Sequence, residues 1–123
     1  MAKVHGLFPT DIIDDTSAVR DATSPAAVLS VLADPTRLAI LSHLRGGEHR
    51  VSELTEHLGL AQSTVSQHLA ILRSAGLISS HSHGRANVSR IENPEAIEQV
   101  LTAAESLSAI ISADASSKGK APL

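Results

Sequence analysis

Apolar residues recur at helical spacing along most of this chain, and polar punctuation divides them into segments. Val28, Leu29 and Leu32 follow Ser24-Pro25, and Leu38, Ile40, Leu41 and Leu44 follow Asp34-Pro35. Each pair sets a capping side chain before a proline at the first helical position. The pattern predicts one helix from Pro25 up to Asp34 and a second from Pro35 to about Arg45, closed by Gly46-Gly47. Ser52 is expected to cap a third helix, with Glu53 and Glu56 near its positive end, Val51 as a hydrophobic staple, and Leu54 and Leu58 facing inward. Gly59 should leave that helix in a left-handed conformation. A fourth helix is predicted from Gln62 to Ser74, ending at Gly76.

That fourth helix has two characters. Val65, Leu69, Ile71 and Leu72 suit packing against a body. Gln62, Ser63, Thr64, Ser66, Gln67 and His68 gather hydrogen-bonding groups at its start. Two short helices joined by a tight turn, the second with such a polar face, form the pattern of a DNA-reading helix-turn-helix.

After Gly76 the period changes. Residues 77–82 and 86–91 are short β-suited runs flanking His83-Gly84-Arg85, which predicts a β-hairpin. A hairpin directly after a reading helix is a wing. Glu48–Val51 is short enough for a connector or one small edge strand. Asn93-Pro94 opens a last helix with Ile97, Val100, Leu101, Ala104, Leu107 and Ile111 at helical spacing. Such a stripe on a terminal helix must cover something, and a dimer seam is the expectation. Asp11–Arg20 is read as a short helix. The predicted layout is an arm with that helix over 1–23, the winged domain over 24–92, a dimerisation helix over 93–112 and a disordered tail over 113–123.

Composition narrows the chemistry. The 123 residues suit one compact domain. There is no Cys, which removes disulfides, thiolate nucleophiles and soft-metal sites, and Phe8 is the single aromatic, which argues against base stacking. No apolar run reaches the roughly 18 residues of a membrane span, so the expectation is a soluble cytoplasmic protein. Net charge is −3, yet residues 36–90 hold six Arg against three Glu, and both ends are acidic. A basic centre suits contact with phosphate. No nucleophile–base set, phosphate loop or HExxH motif is present, so an enzyme is not expected.

Three linked stretches carry a resemblance: LADPTRLAIL at 32–41, VSELTEHLGLAQSTVSQHLAILRSAGLI at 51–78 and HGR at 83–85. In order and spacing the chain resembles the ArsR/SmtB family of bacterial winged-helix regulators, over roughly Val28 to Leu107. The resemblance implies a mainly α fold with a small β-hairpin, a winged helix-turn-helix made dimeric through N- and C-terminal helices. It also implies a homodimeric repressor on inverted-repeat operator DNA, often released by a metal ion or other effector. The alternatives are an effector-independent regulator and a winged-helix protein-interaction module without DNA binding.

The family pattern places the DNA-facing residues at Gln62, Ser63, Thr64, Ser66, Gln67 and His68, with Arg85 at the wing and Arg73 as a further candidate. Gln62 and Gln67 suit adenine by bidentate amide contact. Ser63, Thr64 and Ser66 suit phosphate. Ser63 has a cap as its bland reading, His68 a packing role, Arg73 a surface ion pair and Arg85 a plain turn. Ala61 stands where many relatives have a capping Ser.

The family's effector sites are largely missing. Arg50 and Ser52 occupy the places of its Cys-x-Cys pair, Ile71 and Ser74 those of a pair in the reading helix, and residues 92–111 contain no His. What remains is His81-Ser82-His83, two imidazoles on one side of a strand, needing a further ligand from His5 or a carboxylate. His43 and His49 form a second loose group. Without Cys, imidazole and carboxylate favour Zn(II), Ni(II) or Co(II).

Overall fold

The computed structural model describes residues 23–120, with side chains to residue 117. His5 and the Asp11–Arg20 segment lie outside the described residues. The chain divides into two compact units, the first ending at Glu92 and the second beginning at Asn93. Among the described residues no single helix is long and apolar enough to cross a membrane.

Among the described residues the first unit opens with α1 (Pro25–Leu32) and α2 (Pro35–Leu44), which meet at 90°. Both start as the sequence predicts. Ser24 Oγ accepts from Ala27 N at 3.1 Å, and Asp34 Oδ2 accepts from Arg37 N at 3.0 Å. The chain then makes β1 (His49–Arg50), α3 (Val51–Leu58), α4 (Gln62–Ser74), β2 (Ile78–His83) and β3 (Ala86–Ile91). Ile40, Leu41, Leu54, Val65 and Leu72 have no exposed surface, and they knit α2, α3 and α4 into one core.

The start of α3 differs from expectation. The helix begins at Val51, not after Ser52, and its N-cap position is Arg50. Glu53 Oε1 accepts from Arg50 N at 2.8 Å, the carboxylate half of a capping box. The reason is non-local: Arg50 ends β1, so strand pairing fixes where the helix can begin. Gly59 leaves α3 with φ 67, as its position predicts.

The hairpin is part of a three-stranded antiparallel sheet in the order β1-β3-β2. His49 pairs with Ser89 and Arg50 with Val88, while β2 pairs with β3 from Ile78–Ile91 to His83–Ala86. Gly84 and Arg85 form the two-residue turn. Gly84 has φ 68 and Arg85 does not share the positive φ, the pattern of a type II′ turn that demands glycine first.

Two apolar positions behave differently from their sequence reading. Ile71 is 41% exposed and Leu38 39% exposed. Ile71 borders an open apolar groove of about 340 Å³ with Ala27, Val31, Ala70 and Ala75. Its place in the sequence cannot distinguish a groove wall from a core.

The second unit is one helix, α5 (Pro94–Lys120). Asn93 precedes it with a left-handed φ of 53, a conformation Asn tolerates better than most residues. The helix continues beyond residue 112, where the sequence predicts a disordered tail. Residues 113–117 are Ala-Asp-Ala-Ser-Ser and exposed, so backbone bonding and alanine propensity extend the helix where packing does not.

The α2 cap carries a pH signature. The Asp34 carboxyl is held below its ordinary pKa, first by the hydrogen bond from Arg37 N and further by the nearby Arg37 charge. A depressed folded pKa gives stability that is full above the unfolded value and lost as pH falls through the folded one. Asp34→Asn keeps a capping acceptor but cannot titrate. Urea unfolding across the acid range should therefore show a shallower loss of stability for the variant than for the parent.

Candidate nucleic-acid interface

The polar start of α4 is presented outward by the apolar residues behind it. Val65 and Leu69 lie at 0% and 2% exposure, while Gln62, Ser63, Ser66 and Gln67 are exposed on the opposite side. Thr64 and His68 are half-buried. Ala61, the N-cap residue, supplies no side-chain acceptor, and the first bond of the helix runs from Val65 N to Ala61 O at 3.1 Å. The earlier N–H groups therefore point out of an uncapped helix end, where the helix dipole favours an anion.

The other end of α4 is closed. Leu77 N bonds Leu72 O and Gly76 N bonds Arg73 O, each at 3.0 Å, with Gly76 at φ 79. This is a Schellman motif, and it turns the chain directly into β2.

His68 has a partner inside the protein. Its Nδ1 lies 3.2 Å from Arg37 Nη1 and 3.8 Å from Asp34 Oδ2. A guanidinium only donates, so Nδ1 accepts and Nε2 carries the proton. Arg37 Nε also donates to Val31 O at 2.6 Å. The side chain of Arg37 thus ties the end of α1 and the start of α2 to the middle of α4. Of the two readings of His68, this contact matches packing.

Arg73 Nη1 donates to Ser80 Oγ at 3.2 Å, which fastens α4 to β2. Between them lies a cleft of about 310 Å³, floored by Leu69 and lined by Ser66, Arg73, Ser80, Asn87 and Ser89. Ser89 is 1% exposed, and its Oγ sits 3.4 Å from Ser80 Oγ.

A second groove, about 250 Å³, brings the start of α4 to the wing. Gln62, Arg85, Arg50, Ser52 and Asn87 line it. Gln62 and Arg85 stand out as DNA-facing from sequence, whereas Arg50, Ser52 and Asn87 join them on one surface only in the fold. Arg50 was legible only as a substitute for a family Cys. Its approach to the wing depends on the β1–β3 pairing, which no local pattern announces. Glu53, beside Arg50, is held below its ordinary pKa chiefly by the hydrogen bond from Arg50 N, so it stays ionised next to that cation.

The described histidines separate into three places. His68 belongs to the Arg37 contact. His43, His49 and His57 gather with ring centroids 5.1–6.5 Å apart. His57 joins the pair noted in the sequence because the end of α3 passes the Gly46-Gly47 turn. His81 and His83 stand together on β2, joined by Glu48, whose Oε1 is 3.4 Å from His81 Nε2.

Comparison with known proteins places this arrangement in context. The sequence profile described as bacterial regulatory protein, arsR family, matches residues 34–80. The HTH-type transcriptional regulator NmtR of Mycobacterium tuberculosis is 43% identical over 67 residues, covering 54% of this chain and 56% of that protein. The transcriptional repressor SdpR of Bacillus subtilis is 38% identical over 58 residues, covering 47% of this chain and 64% of that one. The matches span less than two thirds of either relative. The crystal structure of M. tuberculosis Rv0081 is similar with a TM-score of 0.63 and 32% identity, covering 71% of this chain and 88% of that chain.

The placement of His68 predicts a stability effect. His68→Ala should lower unfolding free energy by roughly 1 kcal/mol, the net worth of its lost hydrogen bond, in urea titration. Gln67→Ala, on the exposed side, should stay within about 0.5 kcal/mol of the parent. An equal loss in both would contradict the internal role of His68.

Proposed function

This chain belongs to the ArsR family of bacterial regulatory proteins, and from that membership and the geometry of α4 we propose that it is a DNA-binding transcriptional repressor. One observation carries the reading: the uncapped, polar start of α4 and the wing-tip Arg85 border a single groove with Arg50. That arrangement suits a helix in the major groove with cationic side chains on the flanking backbone. Gln62 and Gln67 offer amides to adenine edges, and Ser63, Thr64 and Ser66 offer hydroxyls to phosphate. Arg73, bonded to Ser80, has the bearing of a brace between helix and wing. The relatives are named as regulators and repressors of transcription, and the chain is read as a regulator rather than an enzyme.

The reading extends to a homodimer on an inverted repeat, with two reading helices about one helical turn apart. The last helix supports it. The stripe expected from sequence divides in two: Ile97 and Leu101 are buried, while Val100, Ala104, Leu107 and Ile111 are exposed. Their spacing of four, three and four is that of a coiled-coil seam, and Ile110 at 62% exposure flanks it. The N-terminal helix expected to share the interface lies outside the described residues.

Two outcomes test the proposal. In fluorescence anisotropy against an inverted-repeat operator, Gln67→Ala should reduce discrimination against a mismatched base by roughly 1–3 kcal/mol. Arg85→Ala should weaken all sequences alike and lower the salt slope by about 1. Identical behaviour of the two variants would defeat the division of roles. In sedimentation, Leu107→Asp should give a monomer that no longer retains the operator, and a dimeric variant would place the seam elsewhere.

A further inference from the structure

We propose that Glu48, His81 and His83 form a binding site for a divalent transition-metal ion on one face of the three-stranded sheet. The register builds it. His81 stands opposite Val88 and His83 opposite Ala86, while Arg50 stands opposite Val88 from the other side. Side chains alternate along strands, so Glu48, two residues before Arg50, falls on the face that carries both imidazoles. Glu48 and His81 lean toward each other over the central strand, and Val88 between them is 5% exposed.

The distances fit coordination. Ligand atoms of the three residues all lie within 4.8 Å of one another, and the Glu48 Oε1–His81 Nε2 separation is 3.4 Å. A tetrahedral ion with bonds of about 2.0–2.1 Å sets its ligand atoms about 3.3 Å apart. One edge of that tetrahedron is therefore already present. The others close by rotation of surface side chains, since Glu48 and His83 are exposed and His81 half-exposed. Glu48 and His83 also border an open cavity of about 210 Å³, which leaves room for water as the fourth ligand. Arg50 borders the same cavity, and so does Glu53, whose carboxylate is bonded to the Arg50 N–H and offsets that cation. Two imidazoles and one carboxylate, with no thiolate in the chain, suit Zn(II), Ni(II) or Co(II).

The site spans two parts of the molecule. Glu48 precedes β1 and the start of α3, while His83 adjoins the Gly84-Arg85 turn. A bound ion would pin the wing tip to the body of the helix-turn-helix and add positive charge near Arg85 and Arg50. Both effects favour association with phosphate, so the ion acts as a co-repressor; this consequence rests on the DNA-binding reading, and the site itself does not.

The test uses the full chain. Titration with Co(II), then displacement by Zn(II) against a competing chelator, should show one saturable ion per chain with the visible absorption of tetrahedral cobalt. His83→Asn and Glu48→Gln should each weaken binding at least about 10-fold. His57→Asn, in the separate histidine group, should leave it unchanged. Circular dichroism of the metal-free variants should match the parent, since both residues are on the surface. Absence of saturable binding, binding indifferent to His83→Asn and Glu48→Gln, or loss in His57→Asn would overturn the site. With operator DNA, Zn(II) should raise the affinity of the parent and not of His83→Asn. An unchanged or lowered affinity overturns the co-repressor role. A chain that binds the ion but no DNA overturns the earlier functional reading and leaves the site standing.

Discussion

Two residue pairs, His49 with Ser89 and Arg50 with Val88, hold β1 against β3, and the functional surface depends on them. A two-residue strand does not persist alone. It persists here because β3 is already paired along β2, and because α3 starts at the next residue and is locked by Leu54 in the core. The pairing brings the start of α3 beside the wing. Arg50 thereby reaches the groove shared by Gln62 and Arg85, and Glu48 reaches His81. Remove the pairing and the arginines, the amide and the histidines become separate features of a loop, a helix and a hairpin.

Helix α4 is secured unevenly, and the unevenness suits its use. Its far end is closed by the Gly76 Schellman motif and the Arg73–Ser80 bond. Its inner side is held by Val65, Leu69 and Leu72 and by the contact of Arg37 with His68. Its beginning is left without a side-chain cap. Supplying a cap there would satisfy donors that a phosphate oxygen could otherwise take. The helix forgoes about 1 kcal/mol of local stability, the usual worth of a capping side chain, and keeps an anion-ready end.

Much of the fold was legible in the chain. Ser24-Pro25 and Asp34-Pro35 set two helix starts, Gly59 and Gly76 set two helix ends, and residues 83–85 set the wing turn, all by interactions within a few residues. The exposed polar face of α4 was legible too, because period 3.6 separates Gln62, Ser63, Ser66 and Gln67 from Val65 and Leu69. Less legible were the start of α3, the exposure of Ile71 and the continuation of α5. Each turns on what lies across from the segment: a paired strand for α3, and for Ile71 and the end of α5 the lack of a covering neighbour among the described residues.

The sequence by itself therefore determined the elements, their order and the chemistry each one offers, since capping, proline, glycine and periodicity act locally along the chain. Only the tertiary structure decided which offers meet. It turned His68 inward onto Arg37, added Arg50 to the Gln62–Arg85 groove, and chose Glu48 as the carboxylate beside His81 and His83. The physical reason is the same in each case. Strand pairing and helix packing join residues far apart in sequence, and their register is fixed by the summed burial of a whole core rather than by any residue at the site.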